Sequence, residues 1–177
     1  MKLSELMGNH EPKPDYEGFA TNDDYVLAIN TGEARSENDY EVVELGVSGL
    51  DSQMNPITQD KTYIRAGQST MKTGTQRSFK VSGDRYIGDK AQDFMLAHRM
   101  KYGTGNGVVT DYVYFCLLNG KGEKGKVSVI VNSDGSGNAG ESSAVDIELK
   151  KSGSLPTEYT YTPAGTGTTM AARTDAK

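Results

Sequence analysis

The 177-residue chain has the length of one domain with a modest core, because only 35% of its residues are hydrophobic and it contains 21 glycines and no tryptophan. Its net charge of −5 is unevenly distributed: residues 1–60 carry a net −10, residues 61–126 a net +7 and residues 127–177 a net −2. The basic middle forms no stripe with interleaved aromatic residues, which argues against a nucleic-acid-binding module. No segment has the apolar run expected of a secretory signal or a membrane span.

The chain is predicted to consist of an N-terminal arm (1–20), one domain (21–151) and a C-terminal arm (152–177). The first segment is polar and carries two prolines, and the last is dominated by Gly, Thr, Ala and Pro. Both segments are predicted to be extended and to become ordered on a neighbouring molecule. The apolar and aromatic side chains predicted to make those contacts are Leu3, Leu6, Met7, Tyr159 and Tyr161.

The first half of the domain is predicted to be β-rich. Alternating apolar residues predict a strand at 24–30 and a longer strand at 39–50. Two further strands, at 61–66 and 76–81, bracket the polar segment 67–75. Because this segment contains one methionine and no other large apolar residue, it is predicted to project into solvent or onto a partner.

One helix is predicted over residues 89–102. Asp89 is placed to cap the first turn, with Gln92 as its capping-box partner, and Gly103 is placed to end the helix in a left-handed conformation. A single helix among many strands indicates an α+β, mainly β fold in which one side of a sheet is covered. The stripe predicted to face that sheet consists of Ala91, Phe94, Met95, His98 and Tyr102.

The second half of the domain is predicted to contain a central strand and a long ribbon. Residues 111–118 are apolar on both faces, so they predict a doubly covered strand in which Cys116 is an inert core thiol. Residues 126–151 form two alternating runs joined by a Gly- and Ser-rich loop, which predicts a hairpin with one apolar and one polar face. The outer edge of this ribbon needs a covering strand.

No motif in the sequence predicts catalysis or ligand binding. The pattern G-x-G-x-x-G occurs at 120–125 and 135–140, but each copy precedes an alternating strand and not a helix, so both are predicted to be hairpin turns. His10 and His98 have no metal-ligand spacing, and His98 is predicted to be a partly buried, satisfied side chain. We therefore expect no enzyme and no catalytic, cofactor-binding or metal-binding residue.

The order of several short motifs is similar to that of a known family. These are G-V-S-G-L at 46–50, S-G-D-R followed by G-D-K-A-Q-D before the helix, and V-S-V…N-S…D-I-E-L…S-G in the late ribbon. Over about residues 39–153 the chain resembles the major tail proteins (tail tube proteins) of long-tailed bacteriophages. The resemblance implies an antiparallel β-sandwich or half-barrel flanked by one helix, a fold shared with phage-like bacteriocins and type VI secretion tubes.

The resemblance also implies an assembly. Six copies form a ring whose sheets join around a lumen, and stacked rings make the virion tail tube through which DNA passes without specific binding. The implied partners are other copies of the chain, the tape-measure and tail terminator proteins, and a baseplate or initiator. The subunit would be made in the cytoplasm of the bacterial host, and no membrane is involved.

Within such a ring, the edge of the 126–151 ribbon is expected to be covered by the next subunit. Its polar face, with Ser128, Asp146 and Glu148, is then the candidate lumen surface. We expect Asp, Glu, Ser and Thr to dominate the lumen, because fixed cations would trap the DNA backbone. Lys150 on the same face does not fit this expectation.

Ring stacking is expected to involve the polar segment 67–75. An acidic early segment on one ring face and a basic loop with Arg65, Lys72 and Arg77 on the other would join opposite charges, and salt would weaken the contact. The residues assigned to this stacking loop are Gly67, Gln68, Ser69, Thr70, Met71, Lys72, Thr73, Gly74 and Thr75.

An alternative from another class is a monomeric β-sandwich module that binds carbohydrate or a host surface. The ten tyrosines favour it, because tyrosine can stack on sugars. The missing tryptophan and the absence of an aromatic cluster in any loop argue against it. A monomer with a defined small ligand would support this alternative.

Overall fold

The computed structural model describes residues 1–8 and 10–161. The helices are α1 (Leu3–Gly8), α2 (Lys90–Met95) and α3 (His98–Tyr102). The strands are β1 (Tyr25–Asn30), β2 (Tyr40–Val42), β3 (Val47–Gln53), β4 (Pro56–Tyr63), β5 (Gly67–Thr75), β6 (Ser78–Asp84), β7 (Val109–Cys116), β8 (Lys121–Ser136), β9 (Ala144–Lys151) and β10 (Thr157–Thr160).

Eight of the strands form one open antiparallel sheet. Its order is β2-β1-β7-β8-β9-β6-β3, and β10 pairs with the first part of β8. Strands β4 and β5 form a separate two-stranded hairpin. The predicted α+β, mainly β fold is confirmed: an open antiparallel half-barrel flanked by one bent helix.

The sheet edges differ from the expectation. β9 pairs on its outer side with β6 of the same chain, with Ile147 opposite Val81, so the prediction that a second subunit covers this ribbon is wrong. The strands at the ends of the order are β2 and β3. The N-terminal residues partly cover β2, since the amide of Val42 donates to the carbonyl of Met1 over 2.9 Å. Among the described residues, β3 pairs only with β6.

The main core lies on one face of the sheet, under α2 and α3. The alternation in β9 buries Val145, Ile147 and Leu149, as the sequence predicts, against Phe79 of β6 and Tyr112 of β7. Burial of one such aliphatic side chain contributes about 1.5–3 kcal/mol to folding.

The predicted single helix is bent at Leu96–Ala97. Its N-cap is confirmed, because the Asp89 carboxylate accepts a hydrogen bond from the amide of Gln92 over 3.0 Å. The Gln92 side chain does not return to the cap. It donates to the carbonyl of Leu45 over 2.7 Å and fixes the loop before β3. Gly103 has φ −72°, so the predicted left-handed end is wrong.

The bend also changes which side chains of this helix face the core. The buried positions include Leu96 and Met100, whereas His98 and Tyr102 are exposed. The prediction of a partly buried His98 is therefore wrong. His98 packs instead against the ring of Tyr102 at the surface, with 4.8 Å between the ring centroids.

A second, smaller core lies on the other face of the sheet. Helix α1 packs Leu3 and Met7 against Val26 of β1 and Phe115 of β7, so this part of the N-terminal arm is helical and not extended. Because β7 contributes to both cores, the prediction of a doubly covered strand with a buried Cys116 is confirmed.

Several predicted boundaries of strands and turns are wrong. The strand expected at 61–66 lies at Pro56–Tyr63, and residues 64–66 form the turn of the β4–β5 hairpin. The strand expected at 39–50 is interrupted between β2 and β3 by a turn at Gly46, whose φ is +75°. Residues 67–75 are strand β5 and not a loop. The glycine motif at 120–125 lies mostly inside β8 and not in a turn, whereas the second motif, at 135–140, does lead into the β8–β9 loop.

Candidate assembly surfaces

The β4–β5 hairpin is the most exposed element of the described chain. Its register runs from Pro56 opposite Thr75 to Tyr63 opposite Gly67, a length of roughly 25 Å. Every residue of β4 is exposed, and Ile64 at the tip is 93% exposed. A hairpin with two exposed faces has no core of its own, so its conformation depends on backbone pairing.

The hairpin carries a positive surface. Lys61, Arg65 and Lys72 make no ion pair with any described residue, and the one carboxylate, Asp60, accepts a hydrogen bond from Thr70 over 2.7 Å. Arg77 was expected on this basic surface, but it lies at the base and is buried. The expectation of a basic loop is therefore correct for Arg65 and Lys72 and wrong for Arg77.

Arg77 holds a polar network inside the domain. Its Nε donates to Glu123 over 2.5 Å, and its guanidinium lies 4.3 Å from the centroid of the Phe79 ring. The Tyr112 hydroxyl donates to the same carboxylate over 3.0 Å. Burial, and then the charge of Glu123, raise the pKa of Tyr112, which stays a neutral donor.

The sheet has one uncovered face, formed by β8, β9, β6 and β3 on the side opposite the main core. Ser128, Asp146 and Glu148 lie on it and are partly exposed. Each of the two carboxylates has a lysine partner: Lys80 Nζ is 3.1 Å from Asp146, and Lys150 Nζ is 3.1 Å from Glu148. The face is thus mixed and internally neutralised, in contrast to the acidic surface expected from the sequence.

The pKa of Asp146 reflects its pairing with Lys80. Partial burial raises the pKa, but the hydrogen bonds from Lys80 and Asn132 outweigh that effect, so the pKa lies below its usual value. Asp146 is therefore ionised at neutral pH and remains available to hold the lysine.

A groove lies between β1 and β3, where the curved sheet stays open. Its cavity of about 270 Å³ is lined by apolar residues that include Val26, Val43 and Leu50, and by polar residues that include Asp23 and Glu44. The sequence alone does not reveal this groove, because its residues come from distant parts of the chain. The acidic charge of the first 60 residues was the only available signal.

The arm residues expected to contact neighbours pack on their own subunit. Leu3 and Met7 are buried in the second core. Tyr159 and Tyr161 lie on Phe115, with ring centroids 5.6 and 6.0 Å away. Their contact with a neighbouring subunit stays a prediction, and residues 162–177 of the predicted C-terminal arm lie outside the described residues.

Within residues 1–8 and 10–161, no three His, Cys, Asp or Glu side chains are grouped as a metal site would require. In the same part of the chain, no helix has the length and apolarity needed to cross a membrane.

Comparison by sequence finds no match to a protein-family model or to a curated protein. Comparison by structure finds clear matches. A chain from the tail of an empty gene transfer agent particle, refined helically with C6 symmetry, is 14% identical with a TM-score of 0.56. A chain from the virion of a native gene transfer agent particle is 12% identical with a TM-score of 0.52. Each match covers 81% of this chain and 100% of the other.

A chain from the cap that terminates the anti-feeding prophage tube is 13% identical with a TM-score of 0.50, and the match covers 82% of this chain and 94% of the other. These identities establish the fold, whose open sheet, flanking helix and antiparallel order are described above. The resemblance read from the sequence is confirmed at this level, and the chain has the fold of phage-tail tube proteins.

Proposed function

We propose that the chain is a structural tail-tube subunit that assembles into stacked rings around a lumen through which DNA passes. The observation that carries the proposal is the bare edge of β3 in an open sheet of this fold. An unpaired edge in a chain that must stay soluble is a liability unless a copy of the chain pairs with it, and a closed ring removes all such edges. We propose six copies per ring, a number supported by the resemblance and by the C6 symmetry of the gene transfer agent tail.

In this ring the uncovered face of β8, β9, β6 and β3 lines the lumen, with Ser128, Asp146 and Glu148 on its surface. The pairing of Lys80 with Asp146, and of Lys150 with Glu148, supports this assignment. A lysine already held by a carboxylate releases few counterions when a phosphate passes. Such a surface lets DNA slide without holding it, although it contains cations.

The rings stack through the β4–β5 hairpin, which includes residues 67–75. Its free cations on one ring face meet the acidic first segment of the chain on the next ring, so stacking weakens as salt screens the charges. In this role the subunit is a virion component without enzymatic activity. It meets the tape-measure protein in the lumen and the terminator and initiator at the two ends of the tube.

The test is negative-stain microscopy of the purified chain over a range of concentration and salt. We expect rings or tubes with a central hole, fewer of them at high salt, and none for a variant in which residues 57–74 are replaced by a short Gly-Ser turn. That variant keeps the domain, because the hairpin lies outside both cores. Monodisperse monomers under every condition, also with a tail initiator complex added, would contradict the proposal and favour the monomeric binding module.

A further inference from the structure

We propose that the tip of the β4–β5 hairpin of one copy inserts into the β1–β3 groove of a second copy. The proposal rests on the stacking function above and names the two surfaces that meet. The tip consists of Tyr63, Ile64 and Arg65, and the groove is the cavity lined by Val26, Val43, Leu50, Asp23 and Glu44.

The tip presents an apolar side chain next to a cation. Ile64 is almost fully exposed, and the exposed ring of Tyr63 lies beside it in the chain. Arg65 has φ +70°, a left-handed conformation that is unfavourable for a residue with a Cβ. A turn of this kind favours glycine or asparagine, so an arginine here supplies something other than turn stability. A charge held at the end of a roughly 25 Å projection serves contact with another molecule.

The groove has the complementary chemistry. Part of its lining is apolar, and burying that part under an aliphatic side chain is favourable. Asp23 makes no ion pair with any described residue, and Glu44 is only 3.7 Å from the amino group of Met1. An isoleucine against these apolar side chains would place the neighbouring arginine near the Asp23 carboxylate. The pairing joins the basic hairpin to the acidic first 60 residues.

Two copies are needed, because the tip of the hairpin does not pack on its own chain, where Ile64 is 93% exposed. The groove borders the start of β3, at Ser48–Leu50, whereas the hairpin leaves after the end of β3, at Gln53. The hairpin continues from there as an antiparallel pair whose first strand is exposed at every residue. A contact between two different surfaces of the same subunit repeats head to tail and builds an open-ended stack.

The experiment is disulfide trapping in the full-length chain. One variant carries Ile64→Cys at the tip and Ser48→Cys at the rim of the groove. The matched control carries Ile57→Cys, an exposed position near the base of the same hairpin, together with Ser48→Cys. The buried Cys116 is kept in both. After mild oxidation, we expect a ladder of dimers, trimers and longer chains on a non-reducing gel, at least tenfold more abundant for the tip variant. Equal yields would overturn the proposal.

Charge reversal tests the polar half of the contact. In the tip variant, Arg65→Glu or Asp23→Arg alone is expected to lower the rate of cross-linking about tenfold at low salt, and the two together are expected to restore it. Both positions lie at the surface, and far-UV circular dichroism is used to check that each variant folds. If the double variant cross-links no faster than the sum of the two single effects predicts, the assignment of the Arg65–Asp23 pair is wrong.

Microscopy of the wild-type protein separates this proposal from the proposed function. If the wild-type chain forms tubes but the tip variant gives no specific ladder, the proposed tube function stands and the proposed contact is wrong. A specific ladder without tubes supports the contact and contradicts the tube. The absence of both overturns both.

Discussion

Removal of Arg77 is predicted to destabilise the domain strongly. The side chain is 6% exposed and pairs with Glu123, which is 22% exposed. Breaking a buried ion pair by deleting one partner costs about 3–5 kcal/mol, because the other charge stays in a poorly solvated place. Glu123 is partly exposed and still accepts the hydrogen bond from the Tyr112 hydroxyl after the substitution. The loss of stability expected for Arg77→Ala is therefore at the lower end of this range, about 3 kcal/mol. Loss of the cation over the Phe79 ring is included in this figure.

The assay is urea unfolding followed by circular dichroism, at a protein concentration where the chain is monomeric, since assembly would add to the measured stability. With a dependence of about 2 kcal/mol per M, the midpoint is expected to fall by about 1.5 M. The matched control is Lys80→Ala, three residues away, which removes a pair whose lysine is 53% exposed and costs less than about 1 kcal/mol. If Arg77→Ala shifts the midpoint no further than Lys80→Ala, the assignment of a buried network is refuted.

Three other predictions concern pH, the uncovered face and the helix cap. Burial, and then the nearby Tyr161, raise the pKa of Tyr159 from its ordinary value of 10 to about 12. The stability contributed by the neutral phenol is therefore fully present below pH 10 and is lost as the pH rises towards 12. Tyr159→Phe should make the fall of the melting temperature over this pH range less steep. Asp146→Asn with Glu148→Gln frees two lysines, and should produce duplex DNA binding by fluorescence anisotropy that falls about tenfold between 50 and 200 mM salt. Asp89→Ala removes the N-cap and should lower the free energy of unfolding by about 1 kcal/mol in urea.

Each of these predictions has a matched control. Tyr16→Phe at an exposed site should leave the alkaline decline unchanged. Adding Lys80→Met and Lys150→Met to the charge-removal variant should abolish DNA binding, and binding that persists would mean that other cations are responsible. Asp89→Ser retains a capping oxygen, so a loss as large as that of Asp89→Ala would contradict the capping role.

Local rules were sufficient for much of the fold. Alternation placed the three apolar residues of β9 in the core, and the pattern before the helix identified Asp89 as its cap. Alternation across 39–50 did not reveal the turn at Gly46, where a Cβ would lie 2.4 Å from the carbonyl oxygen of Asp84. That constraint arises from strand β6, almost forty residues later, and no local pattern contains it.

The candidate surfaces were harder to predict, for two physical reasons. The β4–β5 hairpin is wet on both faces, so it lacks the apolar alternation by which strands are recognised, and residues 67–75 look like a loop. The groove and the Arg77 network depend on tertiary contacts between remote residues. The sequence identified the polar face of β9, but the lysine partners of Asp146 and Glu148 became evident only from the register and side-chain positions.

The strand order has a consequence for how the chain folds. β8 and β9 are neighbours in sequence and can pair early. β1 pairs with β7, with Tyr25 opposite Cys116, so residues 31–108 lie between the two strands and must be synthesised before they can pair. Closing so long a loop loses chain entropy before any contact compensates, which makes this step slow. Until β1 has paired with β7, the apolar side chains of β7 are exposed and can contact other nascent chains. In a cell that makes many copies at once, we expect partly folded chains to aggregate when this pairing is slow.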